Sequence, residues 1–311
     1  MKKVIKMIGK ILLGFAAAIV LFLLVVMVWN WIAVLGEKDI VRDTPGQMVE
    51  VDGHDMSIYT EGEGDHTVVF MSGWGTPSPI YDFRPLYSKL SGEFRIVVIE
   101  KFGYGFSDVV DGERDFDTIL RQDREALAKA GIEAPYILCP HSLSGLEAVL
   151  WAQKYPDEVE AIIGLDMSLP DSYELEKSSS MQLFLNRAVK FLGINRFLMS
   201  ISEYDGMTGD EVKKYTALVC GKSINKTVCR ELGAEAAAWD EIKSAPLPAA
   251  PTIQYISGIN ADDEPWISAH QAFADASADG QIIQLGCGHY VHQFESERIA
   301  KEMKEFLRKN L

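Results

Sequence analysis

The chain predicts an α/β architecture, a mostly parallel sheet with helices on both faces, and three observations carry that expectation. Short apolar strand patterns alternate with helical patterns from Thr67 to Leu165. The alternation lapses into helix alone between residues 168 and 248, then resumes from Thr252 to Leu307. Strands such as Thr67 to Met71 read as buried, and their alternation with helices implies a sheet covered on both sides. A length of 311 residues fits one large domain or two small ones.

At the N-terminus, residues 1–10 carry Lys2, Lys3, Lys6 and Lys10 and no acid. No charge follows from Ile11 to Trp29, and apolar residues continue through Leu35, long enough to cross a bilayer. Ala16-Ala17-Ala18 lies inside that run, and Trp29-Asn30-Trp31 sets an aromatic pair at its end. Residues 11–35 are therefore expected to be an uncleaved membrane anchor rather than a cleaved signal. Lysines before the span and acids after it predict a cell-membrane protein with its N-terminus in the cytoplasm and its bulk outside. A polar linker, 36–47, follows. The formal net charge of -15 argues against nucleic-acid binding and against a basic membrane-surface patch.

Residues Met48 to His54 and Met56 to Tyr59 alternate around Asp52-Gly53, a hairpin signature. Thr67 to Met71 predicts a buried strand, Ile80 to Leu90 a helix, Arg95 to Glu100 a strand and Phe116 to Ala130 an amphipathic helix. A strand from Tyr136 to Cys139, its helix to Tyr155, and a strand from Glu160 to Leu165 come next. Helices are expected over Met181 to Phe197 and Gly209 to Ser244. The tail predicts a strand at Thr252 to Ser257, a helix at Trp266 to Ala276, a strand at Gln281 to Leu285 and a closing helix from Glu295.

The stretch Cys139-Pro140-His141-Ser142-Leu143-Ser144-Gly145 is strand, sharp turn and helix start, with Ser142 at the apex. A serine held there exposes its hydroxyl above the sheet, and the amides at the helix start can receive an oxyanion. Pro140 stands where the usual G-x-S-x-G pattern has glycine. Cys139, Cys220, Cys229 and Cys287 show no metal spacing. Cys220 and Cys229 are either a pair in an oxidising compartment or two packed thiols. Gly103 and Gly105 lack a helix directly behind them, so a nucleotide site is not expected, and neither metal nor cofactor is implied.

Four motifs in order, Ser72-Gly73-Trp74-Gly75, Phe102 to Asp108, the Ser142 turn and Gly286-Cys287-Gly288-His289, resemble the α/β-hydrolase fold from about Val49 onward. The resemblance implies an eight-stranded core over 48–167 and 249–311, with a helical cap over 168–248. It implies Ser142 as nucleophile, His289 as general base, and the amides of Leu143 and Trp74 as the oxyanion hole. The family's acid most often follows the seventh strand, but a gapless count puts Ala261 in its place. Asp166, at the end of the sixth strand, is the first alternative, with Asp262 and then Asp263 behind it.

The expected activity is an ester or amide hydrolase acting on a small molecule with an apolar part. Phe184, Phe191, Phe197, Met199 and Trp239 are candidates to line a pocket. A proline-iminopeptidase-like enzyme would need acids to hold an amine, for which Glu174, Glu176, Glu211, Glu231 and Glu235 are available. A non-catalytic binding module on the same scaffold is the third reading.

Overall fold

The computed structural model describes residues 2–172, 180–196, 207–231 and 234–311. Two compact units are formed, one from Met1–Asp43 with Ser179–Ile224, the other from Thr44–Ser178 with Asn225–Leu311. The helical stretch between 168 and 248 is thus divided between them.

The first unit contains α1 (Lys2–Gly36), α2 (Lys38–Arg42) and, among the described residues, further helices met later in the chain. α1 runs unbroken through the apolar stretch and is long and apolar enough to cross a membrane. Between residues 11 and 29 only Val26 is buried.

The second unit is built on an eight-stranded sheet: β1 (Gln47–Val51), β2 (His54–Glu61), β3 (Thr67–Met71), β4 (Arg95–Glu100), β5 (Tyr136–Pro140), β6 (Val159–Leu165), β7 (Thr252–Ile256) and β8 (Gly280–Gln284). Its order is β1-β2-β4-β3-β5-β6-β7-β8, and β3 through β8 are parallel. β1 and β2 form the expected hairpin, closed by Asp52 and Gly53 at positive φ of 52° and 75°, the geometry of a primed turn. β3, β5 and β7 are buried at every position, and the sequences of β3 and β5 accordingly lack polar alternation.

Helices α3 (Pro79–Asp82) and α4 (Arg84–Tyr87) stand where one helix was expected. Pro85 lies in the middle of that stretch and has no N–H to continue an i→i−4 ladder, so the helix restarts there. α5 (Phe116–Lys129) is capped by Asp115, which accepts from the Thr118 N–H at 2.7 Å. α6 (Ser144–Lys154) follows β5. α7 (Ser180–Phe191) and α8 (Gly209–Gly221) belong to the first unit, and α9 (Lys226–Glu231) and α10 (Ala234–Ser244) to the second. The expected helix over Gly209 to Ser244 is therefore three, broken first where Ile224 takes a positive φ of 47°. α11 (Glu264–Ala276), α12 (Val291–Phe294) and α13 (Ser296–Asn310) complete the chain.

The order reverses between β3 and β5, since the chain moves from β3 to β4 on one side and from β5 to β6 on the other. Parallel sheets form their crevice at such a switch point, outside the carboxyl ends of the strands. The loops after β3, β5, β6, β7 and β8 meet at that end.

Candidate active site

The turn after β5 is held from below by its own side chains. His141 N–H donates to Met71 O at 3.0 Å, extending the β3–β5 pairing one residue past Pro140. Ser144 Oγ donates to Met71 O at 2.7 Å and also lies 2.9 Å from His141 O. Ser142 sits at the apex with φ of 55°, a left-handed conformation that costs a non-glycine residue about 1–2 kcal/mol. Its carbonyl accepts from Gly145 N–H at 2.9 Å and from Ser168 N–H at 2.8 Å, which over-determine the turn. Among the described residues Ser142 Oγ has no hydrogen-bond partner, and the residue is half-buried.

The loop after β3 lies directly against this apex. A Cβ on Gly73 would come within 2.6 Å of Ser142 Cβ and 2.9 Å of His141 O, so only glycine fits. The Trp74 indole donates to Val228 O at 2.8 Å and Gly75 N–H to Tyr104 Oη at 3.3 Å, fixing the loop from both sides. The backbone N–H groups of Trp74 and Leu143 are bonded to no other described residue, leaving two donors free beside the apex.

His289, in the loop after β8, brings Nδ1 to 2.6 Å from Asp166 Oδ2. Its ring lies 4.6 Å, centroid to centroid, from that of His141, the residue before Ser142. His141 Nε2 is 3.1 Å from the His289 carbonyl, so the ring donates there and tethers the loop. Burial, followed by the nearby His292 and His289, holds the His141 pKa well below its ordinary value and keeps it neutral. His292, fully buried, pairs with Asp82 at 2.9 Å, and Tyr290 stacks on His141 at 5.0 Å.

Asp166 is fully buried at the end of β6 and has a positive φ of 47°. Its Oδ1 accepts from Ser257 N–H at 2.9 Å, and Asn260 Nδ2 donates to Oδ2 at 3.0 Å. Burial pushes this carboxyl upward, but the His289 ring and the Ser257 amide outweigh it and hold the pKa below the usual value. Asp262 is exposed and bonds no described residue. Asp263 caps α11, accepting from Trp266 N–H at 3.2 Å. Of the three candidate acids, Asp166 alone reaches His289.

Phe184 and Phe191 are exposed, and Trp239 packs on the core of the second unit. Phe197, Met199, Glu174, Glu176 and the side chain of Glu235 lie outside the described residues. Glu211 forms a capping box with Thr208 at the start of α8. Glu231 is buried, receiving Arg114 Nη2 at 2.7 Å and the Tyr104 hydroxyl. Neither is placed to hold an amine. None of the four cysteines forms a disulfide, and no group of three or more metal-ligating side chains occurs among the described residues.

Sequence reasoning missed the polar network around Glu231. Lys101 Nζ binds Glu147 Oε1 at 2.6 Å and lies 4.0 Å from Glu231, and Asp123 is buried beside them. The available signal was Glu147 itself, a lone charge in the otherwise apolar start of α6. Through Tyr104, this network reaches the loop that carries Trp74.

The model of the alpha/beta hydrolase family matches residues 68–302. The uncharacterized protein YbdG of Bacillus subtilis (strain 168) is 33% identical over 99% of both chains. A pimeloyl-[acyl-carrier protein] methyl ester esterase of Aliivibrio salmonicida is 35% identical over 34% of this chain and 38% of its own. In fold the chain is similar to a membrane phospholipase A, with a TM-score of 0.63 and 17% identity over 99% of both chains. With the family match spanning most of the sheet and every motif above, the chain belongs to the alpha/beta hydrolase family.

Proposed function

We propose that this hydrolase is a membrane-anchored serine esterase that works through an acyl-enzyme on Ser142. The observation that carries the reading is the pairing of half-buried His289 with the buried Asp166, the ring lying beside that of the residue preceding Ser142. A serine hydroxyl is a weak nucleophile and needs a base whose tautomer is fixed. With Nδ1–H donating to Asp166, the free Nε2 of His289 accepts the Ser142 proton as Oγ attacks the ester carbonyl. The tetrahedral oxyanion is received by the amides of Leu143 and Trp74, each such donor being worth roughly 3 kcal/mol. His289 then passes the proton to the departing alkoxide, and water repeats the sequence to release the acid.

Ester rather than amide chemistry is supported by the esterase among the relatives, and by Glu211 and Glu231 being engaged within the fold. α1 anchors the enzyme, with the lysine-bearing end in the cytoplasm and the second unit outside.

The test is labelling of the full chain in detergent with a fluorophosphonate probe. Labelling that disappears in Ser142→Ala and in His289→Ala is expected. A folded wild-type chain that takes up no probe would sink the acyl-enzyme mechanism and favour a non-catalytic binding role.

A further inference from the structure

The loop after β3 is fastened to α9 by two routes. The Trp74 indole donates to Val228 O at 2.8 Å, directly on that helix. Gly75 N–H donates to Tyr104 Oη at 3.3 Å, and the Tyr104 hydroxyl donates in turn to Glu231 Oε2, at the end of α9. Trp74 is therefore bracketed, its side chain bound to the helix and the next amide bound through a phenol to the same helix.

α9 is itself tied to the loop after β4. Thr227 Oγ1 donates to Val110 O and accepts from Val110 N–H, both at 2.8 Å. Asn225 Nδ2 donates to Gly103 O at 2.6 Å, while its Oδ1 accepts from the N–H groups of Thr227 and Val228 at 2.9 and 3.2 Å. All of these residues belong to the second unit.

Tyr104 and Glu231 are buried, as are Lys101, Arg114, Asp123 and Glu147 around them. Burial, followed by the neighbouring Glu231, holds the Tyr104 pKa well above its ordinary value, so the phenol keeps its proton. Arg114 Nη2 takes Glu231 Oε1 at 2.7 Å and leaves Oε2 for Tyr104, with Lys101 Nζ 4.0 Å away. The phenol proton is thus committed to Glu231, and its oxygen, made more negative by that bond, accepts from Gly75. A buried ion network often stabilises a fold no better than apolar side chains of similar volume. This one does what apolar side chains cannot, since it fixes the direction of a hydrogen bond.

We propose that Glu231 and Tyr104 are positioning residues for the reaction, holding the Trp74 amide where the tetrahedral oxyanion forms. Glu231 acts through Tyr104, and Tyr104 through the Gly75 N–H, on a transition state that needs the loop in place. This role rests on Ser142 forming the acyl-enzyme.

The full chain in detergent is assayed on a p-nitrophenyl ester as wild type, Tyr104→Phe, Glu231→Gln and the double variant. Tyr104→Phe removes only the oxygen that Gly75 N–H meets. In Glu231→Gln the oxygen stays with Arg114 and the NH₂ turns to Tyr104, so the phenol proton swings toward Gly75 and the loop amide loses its acceptor. Each change is expected to lower kcat about tenfold, with KM within about twofold of wild type. The double variant should also fall about tenfold rather than about a hundredfold, because both changes act at one hydrogen bond. A trifluoromethyl ketone reads the same geometry. Ser142 Oγ bonds to its carbonyl carbon, the hydroxyl proton passes to His289, and the carbonyl oxygen becomes the oxyanion. Its affinity should fall about tenfold in each variant, in step with kcat.

Thermal melts and circular dichroism check the fold of each variant. A Tyr104→Phe enzyme with kcat within about twofold of wild type, whatever its Tm, overturns the role. So do losses that multiply in the double variant, or a KM that rises as much as kcat falls. If Glu231→Gln does not fold, Tyr104→Phe, which keeps the ring, decides alone with the ketone. Hydrolysis that survives in Ser142→Ala, or a wild type that neither cleaves the ester nor binds the ketone, refutes the acyl-enzyme and this role with it. Wild-type kcat in Tyr104→Phe beside an inactive Ser142→Ala refutes only the positioning.

Discussion

Replacing Asp166 by asparagine isolates the step on which the proposed chemistry turns. The carboxylate takes three hydrogen bonds, from His289 Nδ1 at 2.6 Å, Ser257 N–H at 2.9 Å and Asn260 Nδ2 at 3.0 Å. An asparagine that keeps its oxygen toward Ser257 must turn its NH₂ toward both His289 and Asn260. His289 Nδ1 then becomes the acceptor, its proton moves to Nε2, and the ring can no longer take a proton from Ser142. The wrong tautomer costs about 10⁴ in kcat, equivalent to about 5.5 kcal/mol of barrier. KM should change little, because Asp166 is fully buried and screened from any ligand in the crevice. The assay is steady-state hydrolysis of a p-nitrophenyl ester by the full chain, with Asp262→Asn as the comparison and expected within twofold of wild type. A folded Asp166→Asn enzyme that kept a tenth of its kcat, or an Asp262→Asn that lost more, would refute the assignment.

Two other outcomes follow from the same geometry. Gly73→Ala places a methyl within 2.6 Å of Ser142 Cβ and 2.9 Å of a backbone oxygen, so the loop must move and carry the Trp74 amide with it. Loss of one oxyanion donor predicts a fall of roughly 10²–10³ in kcat with KM nearly constant, and a kcat within twofold of wild type would contradict it. Burial, reinforced by Glu147, raises the Asp123 pKa to about 8. Between pH 4 and 8 the folded chain thus holds a proton that the unfolded chain has released, so stability falls as pH rises through this window. Asp123→Asn removes that loss. Its Tm advantage over wild type should widen by about 2 °C per pH unit from pH 5 to pH 8 in thermal melts, and a constant gap would count against a protonated Asp123.

What was legible in the sequence was local, and what was hidden was long-range. Ser142 stood out because strand, turn and helix follow within ten residues, and the apolar strands announced a sheet covered on both faces. Pro85, which divides the expected helix in two, was equally visible and shows how one missing N–H outweighs an otherwise helical pattern. The tether of His141 to the His289 carbonyl joins residues 148 apart, and the Arg196–Glu37 pair joins residues 159 apart. No periodicity encodes such contacts. They depend on where the sheet order reverses and on which helices join α1, and neither can be counted along the chain.

The position of the acid shows how the two kinds of information combine. Counting along the loop after β7 put Ala261 where most of the family has its carboxylate, and left Asp166, Asp262 and Asp263 in contention. In the fold that loop has not simply lost a function. Asn260, the residue before Ala261, reaches back to Asp166 Oδ2, and Ser257 at the end of β7 supplies its N–H to Oδ1. A carboxylate buried at the end of β6 would by desolvation alone be pushed toward its neutral form, useless for holding an imidazolium. The two donors from the β7 loop, with the His289 ring, keep it ionised. On the proposed mechanism, the loop that the family resemblance expects to carry the acid instead stabilises Asp166 one strand away, and the charge stays opposite His289 although a different residue bears it.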